Sequence, residues 1–363
     1  MKSLDPRLKK RKSSRTKKTL KIDIHVHVYG RGDGGTGCFM RGKFYQSLLI
    51  PFLKLYHGIY GREFRDNLDA MYIGMIFQKL GESPSIEGAV LLAHDRIYRH
   101  DGAIDPRTHL FTPNDYVLAL VRDQERLFEE VLKKNNMKIM TEMNKKRVFA
   151  GVSVHPDRKE AIDEIHRCKE QGAVLIKLLP DSQNFDPMNK KYKEYYETLH
   201  RLSLPMLVHT GGEHILRTLN KEYRNPERLK LPLDCGVTVI AAHCGMKSGI
   251  ADRDFFENFS SMVGSHDHFY GDTAALLIPT RRRPLKKLLK NDTHFKKLVH
   301  GSDIPVPSIP ASLTGIVPLE QIKKIARIRN PFERDYLAKK AAGFPDDVFS
   351  RASDILNLKA EIK

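Results

Sequence analysis

The sequence predicts an α/β fold in which eight parallel strands close into a (β/α)8 barrel. Eight short apolar runs, rich in β-branched residues and of the length of buried parallel strands, recur along the 363 residues. Charged amphipathic stretches such as Lys159–Gln171 and Lys190–Leu202 separate most of them, and this alternation is typical of a parallel sheet. An open doubly wound sheet is the alternative, but Gly30–Gly37 after the first run has the spacing of neither phosphate-binding loop.

The eight runs give the order of the predicted barrel strands. They are KIDIHVHV (21–28), IEGAVLLAHD (86–95), RVFAGVSVHP (147–156), AVLIKLLP (173–180), PMLVHT (205–210), GVTVIAAH (236–243), FYGDTAAL (269–276) and KLVHGSD (297–303). Long insertions follow strands 1 and 2, at 29–85 and 96–146, and loops in these positions cover the catalytic face of a barrel. The helix-like pieces within them are Phe44–Leu55, Glu63–Leu80 and Asn114–Asn136. Residues 318–360 are expected to form helices that pack outside the barrel.

Half of the net charge of +18 lies on the first 21 residues, which contain ten Lys or Arg and one acid, Asp5. Because this segment has almost no apolar surface to bury, we predict that residues 1–20 form a disordered basic tail. Residues 21–363 are predicted to form a single domain. The tail could attract polyanions weakly, but the remaining charge is ordinary for the chain length, so nucleic acid is not an expected partner.

The cysteines and the hydropathy pattern bear on the compartment. Cys38, Cys168, Cys235 and Cys244 follow no disulfide or metal-binding pattern, so we expect reduced thiols and a cytoplasmic location. No run approaches the ~18 apolar residues of a membrane span, and no apolar segment follows the basic N-terminus as in a secretory signal. A membrane is therefore not an expected partner, whereas a homo-oligomer stays open.

Ionisable side chains stand at the ends of several apolar strands. His25 and His27 have strand spacing, so both rings are expected on one side of the first strand. The other strand-end residues are Lys177, His209, His243 and Asp303. Burying such groups without partners is costly, and their convergence at one barrel mouth is best explained by a shared cation. Nitrogen and oxygen ligands favour zinc and also suit manganese, iron or cobalt. Cys244 is expected to be a core thiol instead.

These motifs resemble the amidohydrolase superfamily, whose members are TIM barrels. The motifs are HVH (25–27), IKLLP with Lys177, LVHTGGE with His209, AAHCG with His243 and HGSDIP with Asp303. NDYVLALV (114–121), GVSVHP (151–156) and RNPFERD (329–335) are similar to the branch that includes aminocarboxymuconate-semialdehyde decarboxylase and related hydrolases. The resemblance covers residues 20–358, and it is specific for fold and metal chemistry but not for substrate.

The resemblance implies roles for the individual residues. His25, His27, His209 and Asp303 would hold the principal metal, and His243 would be catalytic, either polarising the substrate carbonyl or completing a second metal site. Lys177 is a metal-bridging carboxylated lysine in binuclear relatives and unmodified in mononuclear ones. We favour one metal ion and leave a second open. The alternative role for Lys177 is that of a cation that binds an anionic group of the substrate, or of a partner that pairs with Asp303.

The expected function is hydrolysis of an amide, ester or lactone bond of a small molecule by a metal-activated water. Asp303 would accept the proton of that water and deliver it to the leaving group. Non-oxidative decarboxylation of a small unsaturated or aromatic acid is the alternative, because the same ligands would serve both reactions. A polyanion-binding protein on a degenerate barrel ranks last, since it leaves the intact ligand positions unexplained.

Further residues are candidates for contact with the substrate. His155 ends the third strand, and Arg281 begins the run Arg281–Arg283 after the seventh strand, where a carboxylate or phosphate could be recognised. His155 and Arg281 are therefore predicted to bind substrate. Glu213 is a candidate for orienting an imidazole, and for Asp272 a structural role is at least as well supported as a catalytic one.

Overall fold

Eight parallel strands form the barrel that the sequence predicts. The computed structural model describes residues 19–41, 67–134, 146–212 and 216–358. The barrel strands are β1 (Ile22–His27), β3 (Gly88–Leu92), β5 (Arg147–Val152), β6 (Ala173–Leu178), β7 (Met206–Val208), β8 (Val239–Ala241), β9 (Phe269–Asp272) and β10 (Leu298–Val299). Each lies within one of the eight apolar runs, and neighbours in the barrel pair parallel in chain order. The (β/α)8 TIM-barrel prediction is confirmed.

Hydrogen bonds between β1 and the segment after β10 close the barrel. Ile24 N donates to His300 O at 3.0 Å, and His27 N donates to Ile304 O at 2.9 Å. Asp303 N donates to His25 O at 2.8 Å. Closure therefore joins the backbones of two predicted ligand residues directly.

A bulge in β1 determines which way its histidines face. The register with β3 shifts by one residue between Asp23 and Val26. Ile24 belongs to the apolar cluster inside the barrel, so regular alternation would point the next side chain, His25, outward. The extra residue resets the alternation, and His25 and His27 both face the interior.

The other strands reach the mouth by regular alternation. Leu175 and Leu207 pack inside the barrel, and the next inward positions on β6 and β7 are Lys177 and His209. On β9 the same rule places Asp272 on the inner face. The strand ends thus deliver ionisable side chains above an apolar floor.

The described helices surround the strands. They are α1 (Leu68–Glu82), α2 (Asn114–Arg122), α3 (Gln124–Lys134), α4 (Ala161–Glu170), α5 (Pro180–Gln183), α6 (Lys193–Arg201), α7 (Lys230–Asp234), α8 (Phe256–Ser265), α9 (Arg282–Leu288), α10 (Asp292–Phe295), α11 (Leu319–Ala326), α12 (Pro331–Ala341) and α13 (Asp346–Ile355). The helices predicted over Lys159–Gln171 and Lys190–Leu202 are present as α4 and α6, and the described part of 318–360, residues 318–358, contains three helices. The stretch Asn114–Asn136 is divided at Asp123 into α2 and α3.

The first insertion is anchored beside the mouth. Two short strands, β2 (Phe39–Met40) and β4 (Leu110–Phe111), pair antiparallel and join the two insertions. In α1, the Tyr72 hydroxyl donates to His27 O at 2.8 Å. The Asp69 carboxylate accepts from the backbone N–H of Arg31 at 2.7 Å and of Gly32 at 3.1 Å. The described part of this insertion therefore lies at the catalytic face, as expected.

Some predicted features lie outside the described residues. These are positions 1–18 of the basic tail and the helix expected over Phe44–Leu55. Leu20, which the sequence assigns to the tail, belongs to the fold, because its N–H donates to Ser353 Oγ at 3.1 Å and its carbonyl accepts from that hydroxyl at 2.9 Å. Across the described ranges, no helix joins the length and the apolar character that crossing a bilayer needs.

The packing of α1 predicts a measurable loss of stability for Phe77→Ala. Phe77 is fully buried, and its ring centroid lies 4.7 Å from that of Phe128. Removing the ring leaves a cavity, so we expect the free energy of unfolding to fall by about 3–5 kcal/mol. Urea unfolding measures the change. The control Leu319→Ala, at a side chain that is 58% exposed, should change it by less than about 0.5 kcal/mol. Equal effects of the two substitutions would contradict the assigned packing.

Candidate metal centre

Four of the predicted side chains meet at the carboxyl ends of the barrel strands. His25 Nε2 lies 3.1 Å from His27 Nε2 and 3.2 Å from Asp303 Oδ1. His27 Nε2 also lies 3.2 Å from Asp303 Oδ1. Lys177 Nζ lies 3.1 Å from His25 Nε2. All four residues are buried, so the structure brings side chains from β1, β6 and the segment after β10 to one point.

His243 reaches this point from a turn rather than from a strand. β8 ends two residues earlier, and His243 and Cys244 both have left-handed backbone, with φ of 60° and 53°. His243 Nδ1 lies 2.9 Å from Ala274 O, and its Nε2 lies 3.9 Å from Asp303 Oδ2. Because a carbonyl oxygen only accepts, Nδ1 carries the hydrogen, and Nε2 of the neutral ring presents a lone pair to the carboxylate.

His209 completes the group at the end of β7. Its ring packs edge-on against that of His243, with centroids 5.1 Å apart and planes at 68°. The residue is buried like the others. We call the full set the mouth cluster, which consists of His25, His27, Lys177, His209, His243 and Asp303. The structure therefore places every predicted metal-binding and catalytic residue in one buried group.

Asp272, at the end of β9, contacts the mouth cluster from behind. Its Oδ2 lies 2.7 Å from His25 Nδ1. Its Oδ1 accepts from the backbone N–H of His243 at 2.7 Å and of Ala274 at 3.1 Å. The signal for this contact in the sequence is an acid at the end of an otherwise apolar strand.

Burial and nearby cations keep the cluster histidines neutral. Burial lowers the pKa of His25, His209 and His243 well below the usual value. The charges of Lys177 and Arg281 lower the pKa of His25 and His209 further, and the charge of Arg281 lowers the pKa of His243. The neutral imidazole is the form that binds a metal ion. Burial also raises the pKa of Asp303 to about 7, although Lys177 and Arg281 oppose that shift.

The donor set fits a divalent cation. His25, His243 and Asp303 each offer one ligand atom, and these atoms lie within 4.8 Å of one another. Because His25 and His243 both use Nδ1 in bonds to oxygen atoms, their Nε2 lone pairs face the carboxylate. Lone pairs and a carboxylate in one buried place repel each other unless a cation or a proton lies among them. Imidazole and carboxylate ligands without a thiolate are those of zinc and related metals.

His155 does not face the mouth cluster. Its Nε2 lies 2.9 Å from Gln183 O, and its Nδ1 accepts from the backbone N–H of Asp157 at 3.0 Å. The side chain is fully buried, and burial lowers its pKa to about 4. Both ring nitrogens are thus bonded within the protein. This geometry therefore gives no support to the predicted contact of His155 with substrate.

Arg281 turns inward, unlike its exposed neighbour Arg283. The buried guanidinium donates from Nη1 to Ala275 O at 3.0 Å and from Nε to Lys247 O at 3.2 Å. Its charge is the largest cause after burial of the lowered pKa of His243. The start of this basic run therefore lies close to the mouth cluster.

Several neighbouring residues contact the mouth cluster although these contacts were not predicted from the sequence. Asp23 Oδ1 accepts from the backbone N–H of His25 at 3.0 Å and of Ser302 at 2.9 Å. The position of Asp23, a charged residue inside the apolar first strand, was the indication of its contact in the sequence. Nothing in the sequence indicated the contact of Tyr72 with His27. Cys244 is buried, as predicted for a core thiol. Glu213 lies outside the described residues.

Comparison with known proteins supports the fold and identifies a family. Residues 97–330 match the model of a family described as amidohydrolase. The matched segment contains Lys177, His209, His243 and Asp303, whereas the two histidines of β1 precede it. No curated protein sequence matches the chain.

Solved structures resemble the chain at low sequence identity. An uncharacterised TIM-barrel protein from Bordetella bronchiseptica is 13% identical with a TM-score of 0.54, and the match covers 93% of this chain and 99% of that one. A dihydroorotase from Campylobacter jejuni is 14% identical with a TM-score of 0.45, covering 94% and 85%. An amidohydrolase from Mycobacterium avium subsp. paratuberculosis is 12% identical with a TM-score of 0.44, covering 94% and 99%. The first supports the fold alone, and the lower TM-scores of the others add nothing to it.

The bonding of His155 predicts that His155→Ala acts on stability. The substitution leaves Gln183 O and Asp157 N buried without their partner, so we expect the free energy of unfolding to fall by about 2–4 kcal/mol. The matched control is His166→Ala, at an exposed position on α4, which should change stability by less than about 0.5 kcal/mol. Urea unfolding of both variants measures the difference. A His155→Ala protein of unchanged stability would contradict the assigned bonding.

Proposed function

Since the chain belongs to the amidohydrolase family and is an enzyme of hydrolase type, we propose that it is a metal-dependent hydrolase that cleaves an amide, ester or lactone bond of a small molecule. The observation that carries this proposal is the buried approach of His25, His243 and Asp303, whose ligand atoms lie within 4.8 Å of one another. An apolar barrel does not need such a group for its packing. Burying these ionisable side chains costs free energy, which a bound cation would offset.

We assign His25, His27, His209 and Asp303 as the ligands of one divalent ion, with zinc favoured over manganese, iron or cobalt. Such an ion supplies Lewis acidity and lowers the pKa of a water from about 15.7 towards about 7. Two ions bridged by a carboxylated Lys177 are the alternative. Lys177 Nζ lies only 3.1 Å from His25 Nε2. This distance supports an arrangement in which the amino group of Lys177 contacts the ligand His25 directly.

Asp303 is the residue that moves the proton in this proposal. One carboxylate oxygen, Oδ1, faces His25 and His27, and the other, Oδ2, faces His243. The carboxylate accepts the proton of the attacking water and delivers it to the leaving group. Its backbone N–H is held by His25 O, so the position of the base is tied to that of a ligand.

The tautomer of His243 bears on its two expected roles. Nδ1 donates to Ala274 O, and the pKa is far below neutral, so Nε2 carries no hydrogen with which to polarise a carbonyl. The lone pair at Nε2 supports the other expected role, in which His243 completes a second metal site. We therefore propose that the Nε2 atom of His243 acts as an acceptor through its lone pair.

The charge around the mouth cluster supports an anionic substrate. Lys177 and Arg281 are both buried, and both lower the pKa of the cluster histidines. We propose that Arg281 contributes to binding a carboxylate or phosphate group of the substrate through its charge. The four cysteines are all free thiols, which supports the proposed cytoplasmic location.

Metal content tests the ligand assignment. Wild-type protein should bind about one equivalent of Zn²⁺ or Co²⁺ after dialysis, and His27→Ala should retain little, because a ligand is lost. The control His268→Ala, at an exposed histidine, should bind as wild type does. Mass spectrometry of the metal content gives the comparison. Wild-type protein without a bound divalent ion would overturn the proposed centre, and two equivalents would support the Lys177-bridged alternative.

Product analysis tests the reaction and the role of Asp303. A panel of small amides, esters and lactones, together with unsaturated and aromatic acids, should yield turnover with a new carboxylate among the first group. Asp303→Asn should retain metal but lose at least about 100-fold in kcat, because general acid–base catalysis contributes about that much. Release of CO2 from the acids instead would establish the decarboxylase alternative. A fully active Asp303→Asn enzyme would exclude the proton-transfer role.

A further inference from the structure

We propose that Asp272 is a positioning residue that sets the ring tautomer of His25 and holds the turn that carries His243, so that both imidazoles present Nε2 to the same point. The inference extends the proposed metal centre and rests on it for its consequence, metal affinity. The bonds themselves stand independently of any bound ion. Asp272 thereby links a residue of β1 to a residue of the turn after β8.

The first bond fixes the ring of His25. Asp272 Oδ2 and His25 Nδ1 are 2.7 Å apart, and both side chains are completely buried. A carboxylate only accepts, so the single hydrogen of the neutral ring stays on Nδ1. Nε2 is then a lone pair that faces His27 and Asp303. A carboxylate behind a ligand histidine fixes its orientation and raises its basicity.

The second bond holds the backbone of His243. Asp272 Oδ1 accepts from His243 N at 2.7 Å and from Ala274 N at 3.1 Å. His243 and Cys244 both have positive φ, a conformation that is unfavourable for a non-glycine residue and persists only when the surroundings hold it. Ala274 O, two residues beyond Asp272, accepts from His243 Nδ1 at 2.9 Å. The three-residue segment 272–274 therefore determines both tautomers.

A second buried carboxylate offers a matched comparison. Asp23 is as buried as Asp272 and also bonds His25, but it bonds the backbone of that residue: its Oδ1 accepts from His25 N and Ser302 N, and the Ser302 side chain bonds the carboxylate as well. Asp23 thus holds the chain of His25 without touching the ring. Replacing either aspartate by asparagine removes one carboxylate near His25. Only the replacement of Asp272 changes the group that contacts the ring nitrogen of His25.

The test is Asp272→Asn, with Asp23→Asn as its control. Asparagine has the same shape, and its carbonyl can still accept from His243 N and Ala274 N. Its amide group then faces His25 Nδ1 and donates, which favours moving the ring hydrogen to Nε2 against the opposing contact of Lys177 Nζ, 3.1 Å from that atom. Nitrogen-15 NMR of the histidine side chains in metal-free protein reads the tautomer directly, and a His25→Gln variant identifies the resonance.

We expect wild type and Asp23→Asn to show His25 protonated at Nδ1, and Asp272→Asn to show it protonated at Nε2. Titration with Co²⁺ should give an affinity about 10- to 100-fold lower for Asp272→Asn than for Asp23→Asn. A wild-type His25 protonated at Nε2 would overturn the proposal, and this result does not depend on the folding of either aspartate variant. Equal Co²⁺ affinities of the two variants would overturn it as well. If wild type binds no Co²⁺ while the tautomers behave as expected, the metal proposal fails and the tautomer assignment stands.

Discussion

The buried meeting of imidazole lone pairs and a carboxylate is the constraint on which the rest of this structure depends. Such groups repel one another when they are buried, because the low dielectric constant of a protein interior strengthens electrostatic interactions. Three residues of the mouth cluster are held in place by hydrogen bonds directed away from the point where the side chains meet. For His25 that bond goes to Asp272, for His243 to Ala274 O, and for Asp303 from its own N–H to His25 O. The barrel supplies these anchors because its strand ends lie side by side.

The fold was predictable because its signal is repeated. Eight apolar runs separated by amphipathic stretches leave few alternatives, and the strands lie within those runs. Helix boundaries were less well determined, as the division of Asn114–Asn136 at Asp123 shows. A single turn between two helices changes the direction of the chain without changing the hydrophobic pattern, so periodicity does not report it.

The candidate site was predictable in its membership but not in its geometry. Strand-end residues such as Lys177 and His209 follow from regular alternation. The inward direction of His25 depends instead on a bulge in β1, which one sequence does not reveal because an extra residue leaves no compositional mark. His243 is similar, since the left-handed backbone of this non-glycine residue is selected by bonds to residues about 30 positions away. His155 shows the opposite error, in which a strand-end histidine satisfies its own neighbours.

The bonds of Leu20 have a consequence for the connectivity of the domain. Leu20 N and O both bond the Ser353 hydroxyl, and Ser353 O in turn accepts from Leu358 N at 2.8 Å. The two ends of the described barrel therefore lie against each other, on the side away from the mouth cluster. A short peptide could join them, and new termini could be opened in an exposed loop elsewhere, giving a circular permutant with the same strand order around the barrel.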